Sequence, residues 1–152
     1  ILAQIAGGRL LARRALLKGD RAWIAPVMEH LVARLAWDRF EPGRMPEIAA
    51  LLDAMAARDA RPGGHALAER SENLPLPERA YFETRFLRAA DLIVTGRGAR
   101  AARKMLNRSI VGVEPLTEAM LLKKFPALAG WLATSFRSAE GAAGAVPLPG
   151  SN

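Results

Sequence analysis

Cysteine is absent from the 152 residues. That excludes disulfide stapling and thiolate-held zinc or iron–sulfur centres, and it suits a reducing compartment. Aromatic residues are scarce at 6%, tyrosine occurs once and histidine twice. Hydrophobic residues nevertheless reach 51%, and alanine is abundant. A chain so poor in rings and so rich in alanine favours closely packed helices over a β-sandwich.

The chemistry of sites is equally thin. His30 and His65 are far apart in the sequence, no HEXXH pattern surrounds either, and both read as structural histidines, so no metal site is expected. Ser71, Ser109, Ser135 and Ser138 have no evident base partner. Most carboxylates lie within four residues of an arginine, the spacing of ordinary surface pairs. Gly96 and Gly98 precede a helix, but the segment before them reads as helix and no Gly-Lys-Ser/Thr follows, so a phosphate loop is excluded. No catalytic constellation, cofactor or enzymatic activity is expected. The opening ILAQIAGGRLLARRALLKG is too short and too basic to span a bilayer, and no cleavable signal pattern is visible.

Positive charge is what the chain has in excess. The net charge is +7, and 18 of the 22 basic residues are arginine. Residues 1–19 carry +4 with no acid, residues 20–96 carry −2, and residues 97–137 carry +6. Two basic blocks around a near-balanced middle point to a polyanionic partner, with solubility alone as the plain alternative.

Helical spacing dominates from end to end, and no alternating strand pattern stands out. The expected fold is all-α, a compact bundle of about seven to eight helices forming one domain over 1–139, or two small lobes over 1–60 and 65–139. Residues 140–152 read as a disordered tail. Short helices are expected over 1–6 and 9–18. A longer one over 21–40, capped by Asp20, buries Ile24, Val27, Met28, Leu31, Val32 and Leu35. The next opens at Pro46 with Ile48, Leu51, Leu52 and Met55 inward. A short helix covers 65–70. Pro77 opens a helix that Thr95-Gly96 closes, with Phe82, Phe86, Ala90 and Ile93 inside. The segment Val113-Glu114-Pro115 opens a helix ending near Lys124, and Pro126 opens the last, which buries Leu128, Trp131, Leu132 and Phe136. Trp23, Trp37 and Trp131 read as core, and Tyr81 as core or base-stacking ring.

Between these lies GRGARAARKMLNR, residues 96–108, with five basic residues and no acid. On a wheel of about 100° per residue, Arg97, Arg100, Arg103, Lys104 and Arg108 share an arc of roughly 140°. Ala99, Ala102, Met105, Leu106 and Ser109 take the opposite side. A ridge of this kind suits a phosphate backbone, because each neutralised phosphate releases counterions and guanidinium groups fork onto phosphate oxygens. An ordinary solvated helix face has the same pattern. The apolar side is small and alanine-rich for a membrane-surface helix, so no membrane partner is expected.

The order HALAERS, ERAYFETRFLRAAD, ARKML, VEPLTEAMLLKKF and WLATSF resembles the helical small subunit of the type I-E CRISPR surveillance complex, Cascade. LLARRAL and WIAPVMEHLV resemble that family's first half more loosely, and the likeness covers roughly residues 2–137. Departures are Leu92 where a charged residue is usual, Arg103-Lys104 for an Arg-Arg pair, and Phe125 for Trp. The resemblance implies a non-catalytic, cytoplasmic subunit in antiviral defence. Its implied partners are guide RNA and target DNA through their phosphate backbones, the backbone and large subunits of the complex, and a second copy of itself. By position it implies that Arg88, Arg103 and Lys104 face nucleic acid, to which the wheel adds Arg97, Arg100 and Arg108. Arg13 and Arg14 match the family's N-terminal pair and form a secondary basic patch. The rival expectation is a cytosolic helical adaptor that binds acidic protein segments in a secretion or conjugation machine.

Overall fold

Helical periodicity governs every regular element that the computed structural model describes, in residues 23–41, 43–58, 64–71, 73–110, 112–114 and 116–136. Those residues hold five α-helices, one 3-10 turn and no strand. They are α1 (Ile24–Phe40), α2 (Arg44–Ala56), the 3-10 turn Leu67–Glu69, α3 (Leu76–Ile110), α4 (Glu118–Lys124) and α5 (Ala127–Ser135). The helices expected over 1–6 and 9–18, with Arg13 and Arg14, lie outside the described residues, as does the 140–152 tail.

In α1 the apolar stripe packs as its spacing predicts. Ile24, Val27, Met28, Leu31 and Leu35 are buried, and Val32 packs against them half-buried. Pro26 falls in the first turn, where its missing N–H is one the helix leaves unpaired in any case. Asp20 lies outside the described residues, and Trp23 occupies the cap position without a side-chain cap bond.

The inner face of α2 differs from expectation. Met45 is its buried residue, Ile48, Leu52 and Met55 are half-buried, and Leu51 is 62% exposed. The helix starts at Arg44, so Pro46 is its third residue. Met45, Leu52 and Ala56 then centre the buried stripe, which leaves Leu51 roughly 120° from its centre on the wheel.

α3 is the axis of the molecule and packs against α1, α2 and α5. Ala80, Phe82, Phe86, Leu87, Ala89, Ala90 and Ile93 are buried along it. Small alanines let the neighbouring helices approach closely, and the phenylalanines fill the space between them. The helix does not end at Thr95-Gly96. It continues through both and breaks at Gly98, whose φ of 81° and ψ of 155° depart from helical values.

Most of the few rings are in the core. Trp23 and Trp131 meet edge to face at 5.7 Å, and Phe82, Phe86 and Phe136 stack or tilt on one another within 6.4 Å. Tyr81 is buried and donates its hydroxyl to the Ser135 carbonyl at 3.1 Å, which fixes it as core. Arg85 Nε donates to the same carbonyl at 2.7 Å, so two side chains of α3 satisfy the C-terminus of α5. Trp37 is half-buried instead of core. The expected helix over 65–70 shortens to the 3-10 turn.

Candidate nucleic-acid interface

The break at Gly98 sets the direction of the basic segment. A φ of 81° with a ψ near 155° belongs to glycine almost alone, since a side chain there clashes with its own backbone. No atom lies within 4 Å of the place a Cβ would take, so the constraint is backbone conformation and not space.

Beyond the break the wheel holds. Ala102, Met105, Leu106 and Ser109 are buried, while Arg100, Arg103, Lys104 and Arg108 are exposed. Among the described residues, no carboxylate pairs with Arg100, Arg103 or Lys104. Some arginines elsewhere are paired. Arg34 pairs with Asp38 and, at 2.6 Å, with Asp91; Arg44 pairs with Glu41 and Glu47 at 3.3 and 3.1 Å. On the ridge, Arg100–Arg103, Arg100–Lys104 and Lys104–Arg108 are like-charge neighbours at helical spacing. Such pairs together cost the free helix about 1 kcal/mol, which a polyanion relieves.

Two of the expected ridge residues are placed differently. Arg97 precedes the break, and its Nε donates to the Lys124 carbonyl at 3.0 Å, at the C-terminus of α4. Arg88 lies ten residues before Gly98, roughly 15 Å along the helix, and its Nη2 is 3.2 Å from an Asp53 oxygen on α2.

A cation that the wheel missed, Lys124, lies beside the ridge. The turn after α3 is tied down by backbone bonds, with the Val113 and Glu114 N–H groups donating to the Arg108 carbonyl at 2.9 and 3.3 Å. Gly112, at φ 75°, supplies the left-handed residue that such a helix end requires. The Ser109 hydroxyl donates to the Glu114 carbonyl at 2.9 Å. Glu114 is therefore held in the turn and does not open a helix. α4 starts at Glu118, with Thr117 as its cap accepting from the Met120 N–H at 3.2 Å. From the turn, the Glu114 carboxylate reaches Lys124 Nζ at 2.5 Å and Arg108 Nε at 3.5 Å. The Lys124 hydrogen bond holds the Glu114 carboxyl below the usual carboxylate range, with the Lys124 and Arg108 charges adding to it. The visible signal was Lys123-Lys124 at the end of α4, where cations favour a helix C-terminus.

Residues 97–124 contain no aromatic side chain, and Phe125 behind them is buried. The surface can meet phosphates but offers no ring on which a base can stack.

The histidines take up structural positions. His30 Nδ1 donates to the Pro26 carbonyl at 2.8 Å, and Nε2 lies 2.9 Å from Glu83. Burial pushes the Glu83 carboxyl up, but the His30 hydrogen bond and charge, aided by Arg70 and Arg79, outweigh it and hold the group below its ordinary range. His65 is fully buried against Tyr81 and Phe82, with Nδ1 3.4 Å from Glu69. Among the described residues, no three His, Asp or Glu side chains gather as metal ligands, and no helix is long and apolar enough to cross a membrane.

No protein-family model, curated protein or solved structure matches the chain.

Proposed function

We propose that the chain is a non-catalytic, cytoplasmic subunit of an RNA-guided DNA-targeting complex of the Cascade kind, active in antiviral defence. In this reading its helical body reaches about seven to eight helices, and it steadies the R-loop through phosphate contacts that ignore base sequence. The ligands are guide RNA and target DNA, and the protein partners are the backbone and large subunits and a second copy of the chain. One observation carries the reading. Arg100, Arg103 and Lys104 stand exposed on one side of a well-seated helix with no carboxylate partner among the described residues. Arg108 extends the ridge once Glu114 is given up, and Arg88 and Arg97 contribute only by giving up Asp53 and the Lys124 carbonyl.

The energetics favour such a device. R-loop formation is a near-balanced exchange of one duplex for another, so a few backbone contacts of about 1 kcal/mol each tip it. The test is Arg103→Ala combined with Lys104→Ala, measured by the binding of labelled DNA strands of unrelated sequence across a salt series. All targets weaken alike, and the log–log salt slope flattens by about 0.7–0.9 per lost contact. Loss confined to one sequence overturns the proposal. A complex isolated from cells that contains only protein and resists nuclease, with its binding carried by acidic segments, favours the adaptor instead.

A further inference from the structure

We propose that Glu114 is a built-in competitor for phosphate. Its carboxylate occupies Arg108 and Lys124 in the free chain, and a strand phosphate displaces it to extend the ridge onto the end of α4. This rests on the phosphate-binding reading of Arg100, Arg103 and Lys104.

The geometry is that of an oxyanion held between two cations. One Glu114 oxygen meets Lys124 Nζ at 2.5 Å, and the other meets Arg108 Nε at 3.5 Å. Two oxygens bridging an ammonium and a guanidinium reproduce what two oxygens of a phosphodiester do. The place is open to solvent, since Glu114, Lys124 and Arg108 keep 25%, 33% and 50% of their side-chain surface exposed. A phosphate can therefore reach both cations without any helix moving.

The carboxylate is delivered by its backbone. The Arg108 carbonyl accepts from the Glu114 N–H, and the Glu114 carbonyl accepts from Ser109. Lys124 is anchored in turn by Arg97 on its carbonyl. The backbone on both sides is fixed, so only the Glu114 side chain needs to swing away. Because the Lys124 bond holds the carboxyl below the usual carboxylate range, competition persists from neutral pH into mild acid. The arrangement makes Lys124 a nucleic-acid contact and lowers affinity for stray polyanions until a strand is already seated on the ridge.

The experiment compares wild type, Glu114→Gln, Glu114→Gln with Lys124→Ala, and Arg103→Ala with Lys104→Ala, using a fluorescein-labelled single-stranded DNA at several salt concentrations. Glu114→Gln binds roughly two- to fivefold tighter at low salt, the scale of one exposed ion pair. Lys124→Ala added to it cancels the gain. If Glu114→Gln binds no tighter while the Arg103 and Lys104 substitutions weaken binding, Glu114 is no competitor and the ridge stands. If those two substitutions leave binding unchanged, the ridge fails, and with it the proposal. Circular dichroism checks folding. Should Glu114→Gln unfold, Glu114→Asp, too short to bridge both cations, carries the same expected direction.

Discussion

At the scale of single residues, the ionisable groups inside the helical body lock elements together. Glu83 on α3 takes the His30 ring of α1 at 2.9 Å, and its carboxyl is held below its ordinary value of 4.5. A carboxyl depressed in the folded state adds stability above its unfolded value, and that stability is lost as pH falls through the folded value. Glu83→Gln should therefore lower stability at neutral pH by about 1 kcal/mol or less, because the side chain keeps partial solvent access. The difference from wild type should close below pH 4.5. Urea unfolding of both proteins across that range measures it, and a difference that persists into strong acid would place the Glu83 contribution in packing. Trp131 shows the apolar counterpart. It is 7% exposed, meets Trp23 edge to face, and donates its indole N–H to the Arg85 carbonyl at 3.0 Å. Trp131→Ala removes a large ring and leaves that carbonyl short of a partner. The expected cost is about 3–5 kcal/mol, read from the shift in urea midpoint.

At the scale of elements, the decisive feature is the break in α3. Gly98→Ala forces a side chain into a φ of 81°. The expected loss is about 1–3 kcal/mol, or else the helix straightens through the position and re-aims everything after it. Thermal unfolding measures the first outcome. In the second, DNA binding falls although Arg100, Arg103, Lys104 and Arg108 are all still present. Binding and stability both equal to wild type would show that the break does not position the ridge. The break also marks how far the sequence was legible. Apolar spacing placed the buried stripes of α1 and α3, down to Leu31 and Phe86, because burial on a helix repeats with the helix. It placed the buried side of the basic segment for the same reason. It put the break at Thr95-Gly96, because two glycines in one short stretch look alike to local propensity. Gly96 stays helical with the Phe125 ring 3.9 Å from where a Cβ would sit, and Gly98 takes the positive φ. That choice is made by how the two halves of α3 pack. The same holds for Arg97 and Arg88, whose partners Lys124 and Asp53 come from other helices. Leu51 fell to a shift of the buried stripe by about one residue when α2 began at Arg44.

At the scale of the whole molecule, charge and packing are segregated. One contiguous cluster of buried side chains runs from Trp23 to Leu35, through Tyr81 to Ile93, and on to Trp131. The excess of positive charge lies largely outside the near-balanced stretch 20–96, in residues 1–19 and 97–137. A ridge that binds phosphate by charge alone has a countable salt signature. Four contacts, from Arg100, Arg103, Lys104 and Arg108, give a log–log slope of about −2.8 on a single strand and about −3.6 on a duplex. A fourfold rise in salt then weakens duplex binding by roughly 150-fold, equally for every sequence. Replacing all four with alanine should remove that slope from the full chain, and whatever remains belongs to Lys124 and to the basic block that holds Arg13 and Arg14. A steep slope that survives the four substitutions would move the interface to that block. A shallow slope from the start would mean that the cations of the ridge serve hydration alone, because polynucleotide cannot be bound through charge without the release of its counterions.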